Sequence, residues 1–251
     1  MTKKLMLCRS LMTRALPLAL LLWLPSAQAQ PLAPSFCASD GQPRPVQLLE
    51  RFINADCDSC WQDPATPKAN AGQVVLDWLV PNDAGSKGED APLMAVASRD
   101  GLNRLQALGK SLPAKTLASS LTVKKYKSAT LRVAHGLPLS GYLGTSIEFK
   151  AGPATAKAQP ATAWLVLVEA LPEGTEGSPV ERNLVRNSVQ IGLKPNKFGR
   201  EQLLNKERFF ESRVMSIASG VNPDRLRVIG WVEDQAGHVV VAAQSRCKVP
   251  G

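Results

Sequence analysis

The chain has 251 residues, 44% of them hydrophobic, 20% charged and only 5% aromatic, with a formal net charge of +9. With so few aromatic side chains to serve as stacking platforms, the small lysine groups at Lys124, Lys125 and Lys127 and at Lys194 and Lys197 read as solvated faces, which argues against nucleic acid as a partner. Four basic residues, Lys3, Lys4, Arg9 and Arg14, stand before or at the edge of an apolar run from Ala15 to Leu24, and removing them from +9 leaves +5.

That basic start, the apolar run and the small-residue site Ala27-Gln28-Ala29 predict a cleaved secretory signal over residues 1–29 and a periplasmic or secreted location. The run is too short for a permanent bilayer span, and no later stretch approaches about 18 apolar residues. The mature chain is therefore expected to have no stable membrane insertion. About 220 residues remain, enough for one large or two small domains.

Four cysteines survive cleavage: Cys37, Cys57, Cys60 and Cys247. In an oxidising compartment an even count predicts disulfides, with three connectivities open to four cysteines. Pairing the close Cys57 and Cys60 leaves Cys37 to bond Cys247, tying the two ends of the mature chain together and closing a very long loop. The chain-entropy account gives such a bridge a few kcal/mol.

Residues 30–45 hold prolines at 31, 34, 43 and 45 and predict an extended arm pinned at Cys37. Val46 to Ile53 reads as a buried strand ending just before Cys57 and Cys60. A short helical piece capped by Asp63, with Pro64 at its first position, is expected next. Gln73 to Val80 is a second strand, ended by Pro81. Pro92 introduces a third apolar strand, Leu93 to Ala97, and Leu102, Leu105 and Leu108 place an amphipathic helix over Arg99 to Leu112. From Leu121 the texture is of short strands: Leu121–Tyr126, Thr130–Ala134, Ser146–Lys150, Trp164–Leu171, Asn183–Ile191, Phe209–Ile217, Leu226–Glu233 and Val239–Ser245. Asp234 to Gly237 reads as the turn of a closing hairpin. The expected fold class is α+β: a reduced thioredoxin-like unit over 46–113, followed by an antiparallel β-sandwich over 121–251.

Three stretches carry a family likeness: Leu48 to Phe52, Cys57-Asp58-Ser59-Cys60, and Asn183-Leu184-Val185-Arg186. In this order they resemble the exported thioredoxin-like family known as domain of unknown function 1223. Its members show a strand ending Glu-Leu-Phe-Thr-Ser, then Cys-Ser-Ser-Cys-Pro, and later Asn-Val-Val-Arg. Trp61 stands where that family has proline. The resemblance implies a thioredoxin-like fold and an exported location, without a substrate.

The candidate chemistry is thiol–disulfide exchange, with Cys57 as attacking thiolate, Cys60 as resolving thiol and Pro92 as the proline beside the sulfurs. Asp56 and Asp58 flank Cys57 and oppose the thiolate that a helix N-terminus favours, so the disulfide is expected to be comparatively hard to reduce. Arg182, Asn183 and Arg186 are a candidate groove facing the pair; the plainer reading turns them outward as solvated strand residues. No cofactor and no metal are expected, because there is one close cysteine pair and the remaining two lie near opposite ends of an oxidised chain. Neither His135 nor His238 belongs to a hydrolase motif. Trp61, Trp78, Trp164 and Trp231 read as core or rim packing. Two functions follow: a thioredoxin-like thiol–disulfide exchanger acting on an exported protein or small thiol, or a non-catalytic envelope binding or accessory module with structural disulfides.

Overall fold

The two strands and the helix expected after the proline-rich arm are present, as β2 (Gln47–Asn54), β3 (Gln73–Val80) and α2 (Ser98–Ala107). In the computed structural model, residues 37–81, 97–124, 128–153, 159–193 and 208–247 are described. The expected leader, the start of the expected arm, Pro92 and the expected strand from Leu93 as far as residue 96 lie outside the described residues. β2 and β3 pair in parallel from Gln47↔Gln73 to Asn54↔Val80. Both are buried on both faces, as is usual for parallel strands, and this is why each reads as a nearly unbroken apolar run.

The remaining strands are β1 (Cys37–Ala38), β4 (Thr116–Thr122), β5 (Thr130–His135), β6 (Tyr142–Lys150), β7 (Pro160–Leu171), β8 (Arg182–Gly192), β9 (Arg208–Ser216), β10 (Leu226–Asp234), β11 (Val239–Gln244) and β12 (Arg246–Cys247). They form a five-stranded sheet in the order β12-β1-β5-β6-β9 and a seven-stranded sheet in the order β11-β10-β7-β8-β3-β2-β4. This corrects the expected fold class. There is no thioredoxin-like unit standing before a sandwich, because β2, β3 and β4 belong to the same sheet as β7, β8, β10 and β11. The protein is mostly β-sheet, and its described α-helices are α2 and the four-residue α1 (Asp58–Trp61). The reason is the seam between β3 and β8, a parallel contact with the single register pair Asp77↔Leu184. No apolar periodicity announces such a contact.

The faces of the large sheet follow from strand alternation. On β7, Ala163, Leu165 and Leu167 point toward the small sheet, where they meet Val133, Ile147, Phe149, Phe209 and Met215. Trp164, Val166 and Val168 point the other way, sharing a second core with Leu48, Phe52, Leu76, Trp78, Trp231 and Leu105 of α2. α2 can lie this close to β3 because Gly101 has no side chain. A Cβ there would sit 3.0 Å from the Leu79 carbonyl oxygen and 3.4 Å from the Trp78 Cβ. The helix ends where Gly109 takes a φ of 63°, earlier than Pro113, and the Lys110 N–H reaches back to the Leu105 carbonyl. Among the described residues, no helix is long and apolar enough to cross a membrane.

Gly230 leaves room for side chains of the small sheet to reach the large one. A Cβ on it would lie 2.6 Å from Val133 Cγ1 and 3.2 Å from both Ile147 Cδ1 and the Trp164 carbonyl oxygen. Gly230→Ala should therefore destabilise the protein by about 1–3 kcal/mol. Most of that loss should return in the double variant with Val133→Ala, as measured by denaturant melts.

The expected hairpin turn is present. Asp234 Oδ1 accepts from the N–H groups of Ala236 and His238, both at 2.9 Å, and Lys124 Nζ lies 2.9 Å from Oδ2. Burial alone would push this carboxyl up, but Lys124 and the His238 and Ala236 donors outweigh it and hold it at about 2 rather than 3.8. A group with a depressed folded pKa contributes stability above its unfolded value and loses it as pH falls through the folded one. Asp234→Asn should thus cost on the order of 1 kcal/mol at neutral pH, and the difference from wild type should shrink between pH 4 and pH 2 in thermal melts.

Candidate functional site

The C-x-x-C pair stands immediately beyond the end of β2. The Asn54 side-chain carbonyl accepts the Asp56 N–H at 2.9 Å, while its amide donates to the Ala114 carbonyl at 3.1 Å. The strand is thus anchored as the chain turns, and the Cys57 and Cys60 sulfurs are joined in a disulfide. Cys60 is buried and Cys57 half-buried, packed among Ile53, Trp61, Leu79, Leu171 and Leu184. The helix behind the pair is α1 alone. Asp63 does not start a helix; its Oδ1 caps a turn by accepting the Ala65 N–H. A four-residue helix with Asp58 in its first turn offers a thiolate at Cys57 little of the support that a longer helix dipole provides.

Instead of a helix, an ion cluster holds this loop. Asp77 of β3 accepts a bidentate pair from Arg51 of β2, at 2.8 and 2.7 Å. It also accepts from Arg182 Nη1 at 3.0 Å and from the Asn183 N–H at 2.9 Å. Two cations on one anion leave an excess positive charge, and backbone carbonyls absorb it. Arg51 donates to the Pro67 and Glu181 carbonyls, and Arg182 Nη2 donates to the Trp61 carbonyl at 2.6 Å. The Arg182 guanidinium also lies 4.4 Å from the centre of the Trp61 ring, and the indole N–H is taken by the Glu176 carbonyl. Burial pulls the Arg182 pKa down, against the pull of Asp77.

A second buried cluster lies on the opposite face. Arg104 of α2 pairs with Glu50 at 2.8 Å and Glu233 at 2.7 Å. Here the excess is negative, and three indole N–H groups compensate it: Trp78 donates to Glu50, and Trp164 and Trp231 donate to Glu233. Arg104 also lies 5.0 and 5.1 Å from the Trp164 and Trp231 ring centres. Burial would lower its pKa, but the two carboxylates hold it above its ordinary value. The tryptophans are therefore core packing, as expected, and polar partners besides. Sequence reasoning passed over Glu50, Arg51, Asp77, Arg104 and Glu233. The available signal was charge in the middle of apolar runs, as in Leu-Leu-Glu-Arg-Phe-Ile and Val-Val-Leu-Asp-Trp-Leu-Val, since such residues are buried only when paired.

The residues of the expected groove separate. Arg182 is spent in the cluster beside Trp61, and Arg186 pairs with Glu169. Asn183 is buried at 7% exposure, its amide donating to the Val75 carbonyl, so it is not a solvated strand residue. Asn183 does line a cleft of about 580 Å³, together with Gln73, Arg227, Gln244, Arg246 and Cys247. That cleft lies beside the other disulfide, which joins Cys37 to Cys247 as expected. A smaller cleft of about 460 Å³ runs along Asp40, Arg44, Arg132 and Glu148. Neither is lined by Cys57 or Cys60. The outer face of the small sheet exposes Tyr142, Phe210 and Val214, and the turn between β5 and β6 exposes Leu137 and Leu139; β9 forms the sheet's edge.

His135 lies at the end of β5, opposite Cys37. Its ring is buried, which lowers its pKa against the raising effect of the Gly136 carbonyl. Its Nε2 has no hydrogen-bond partner among the described residues, a deficit that ordinarily costs about 1–3 kcal/mol.

Over the described residues the chain is thus a two-sheet β protein with two disulfides and two buried ion clusters. No protein-family model matches it, and no curated protein does either. Among solved structures, HBP35 of Porphyromonas gingivalis aligns with a TM-score of 0.49 and 12% sequence identity, covering 80% of this chain and 74% of that one. A likeness at that level defines neither a family nor a function.

Arg182→Met leaves Asp77 paired with Arg51 but takes the donor from the buried Trp61 carbonyl and the Ser178 hydroxyl. It should therefore destabilise the protein by about 1–3 kcal/mol, with the loop around Trp61 released first. The expected readouts are a red-shifted tryptophan emission and faster reduction of Cys57–Cys60 by a small dithiol under native conditions.

Proposed function

We propose that the chain is an exported, non-catalytic binding or accessory module whose disulfides are structural. The observation that supports this reading is the setting of Cys57–Cys60. Its second sulfur is buried, and its loop is clamped by Arg51 and Arg182 through the Trp61 and Pro67 carbonyls. Exchange requires a thiolate in line with a partner's sulfur and room for the mixed disulfide. A clamped loop behind a four-residue helix suits a staple better than a nucleophile.

The surface best suited to a partner is the outer face of the small sheet together with the adjoining turn between β5 and β6. Leu139 is 77% exposed and Val214 73%, and β9 pairs with β6 alone among the described strands. An edge with apolar side chains beside it fits an extended apolar segment of another envelope protein, added as a further strand.

Titration against graded dithiol buffers with alkylation of free thiols tests the structural reading. The Cys57–Cys60 bond should stay oxidised below the potentials of ordinary thiol carriers, and Cys57→Ser should leave exchange with a model disulfide at the wild-type rate. If the wild type catalyses that exchange and the variant does not, the module reading is wrong. For the surface, Leu139→Glu with Val214→Glu should leave stability within about 0.5 kcal/mol and remove the cross-links that the wild type forms with its envelope partner.

A further inference from the structure

In the five-stranded sheet, β1 lies between β12 and β5, and Cys37 is the register partner of Cys247 on one side and of His135 on the other. Three adjacent strands thus bring two sulfurs and an imidazole into one row. Both Sγ atoms and a ring nitrogen of His135 lie within 4.8 Å of one another. The ring is only 4% exposed, and its Nδ1 is 2.9 Å from the Gly136 carbonyl oxygen. A carbonyl only accepts, so Nδ1 carries the proton and Nε2 carries the lone pair. Metal-binding histidines are oriented in this way, donating the far N–H to a backbone carbonyl. Nε2 itself is buried and without a hydrogen-bond partner among the described residues. Cys247 is exposed and lines the cleft of about 580 Å³, which gives solvent a path to the row.

We propose that Cys37, Cys247 and His135 form a redox-gated site for a thiophilic d10 metal ion, closed while the disulfide is intact and open once it is reduced. The gating step is a two-electron exchange. A dithiol reductant attacks the exposed Cys247 sulfur, leaves as its own disulfide, and delivers two protons to the Cys37 and Cys247 thiols. Binding the ion then releases those two protons to solvent, as the sulfurs coordinate as thiolates alongside neutral Nε2. Two thiolates and one imidazole suit Cu⁺ in three-coordinate form, or Zn²⁺ with water in a fourth position. Cys37–Cys247 is a structural staple while oxidised, as in the structure, and the site exists only in the reduced protein; the proposal does not depend on whether Cys57–Cys60 exchanges.

The test uses the full chain with Cys8→Ser, Cys57→Ser and Cys60→Ser, so that one thiol pair remains. After reduction by a dithiol and removal of the reductant, it should bind one equivalent of Zn²⁺ or Cu⁺ in calorimetry, with about two protons released per ion. The oxidised protein should bind none. His135→Ala should weaken binding about 10-fold or more. Titrations with the two ions identify which is preferred. Equal binding by the oxidised protein, no binding by the reduced protein, or an unchanged affinity in His135→Ala would overturn the site. Should reduction unfold the chain, one equivalent of metal should restore its circular dichroism, and failure to do so also refutes the proposal. If the serine variant does not fold, the same comparison of wild type with His135→Ala, both fully reduced, applies.

Discussion

The Asp77 carboxylate is the point on which the large sheet depends. β3 meets β8 through one register pair, far less than the ladders that join the other strands of the large sheet, so the seam needs side chains to complete it. Asp77 supplies them by accepting from Arg182 and from the Asn183 N–H across the seam, and from Arg51 on its other side. The Asn183 amide adds a bond to the Val75 carbonyl. One buried anion thereby ties three strands from distant parts of the chain into one sheet. A buried ion pair is weak grounds for net stability, since desolvation opposes it, but its geometry selects one arrangement over others.

The two ion clusters are complementary in charge. Arg51 and Glu50 are neighbours on β2, as Asp77 and Trp78 are on β3, and strand alternation sends each to a different face. One face holds two arginines around one aspartate and draws on carbonyl oxygens. The other holds two glutamates around one arginine and draws on indole N–H groups. In each case the surplus charge meets dipoles of the right sign, fixed in place by strands, which makes burial tolerable. The first cluster also holds the C-x-x-C loop in place of a helix.

The two disulfides differ in the same terms. Cys57–Cys60 closes a short loop that is already clamped, with Cys60 inside the core. Cys37–Cys247 lies in a row across three strands, open to a cleft on one side and next to His135 on the other, whose Nε2 has no hydrogen-bond partner among the described residues. The bond that looked catalytic from its spacing is the better shielded of the two. The one that looked purely structural stands in the chemically richer setting.

Much of the local structure was legible in the sequence. Apolar runs located β2, β3 and most later strands, leucine spacing located α2, Asp234 to Gly237 located the closing turn, and cysteine arithmetic paired Cys37 with Cys247. These are short-range properties, governed by periodicity, turn chemistry and the pairing of an even thiol count. What the sequence left undetermined is how the strands associate. A C-x-x-C after a strand suggested a thioredoxin-like unit, whereas a carboxylate at position 77 finding arginines at 51 and 182 joins that strand to the β-rich half. Charges buried in apolar runs signal that partners exist, but those partners are 26 and 105 residues away. Their identity, and the meeting of His135 with Cys37 and Cys247, is decided only when the strands come into register.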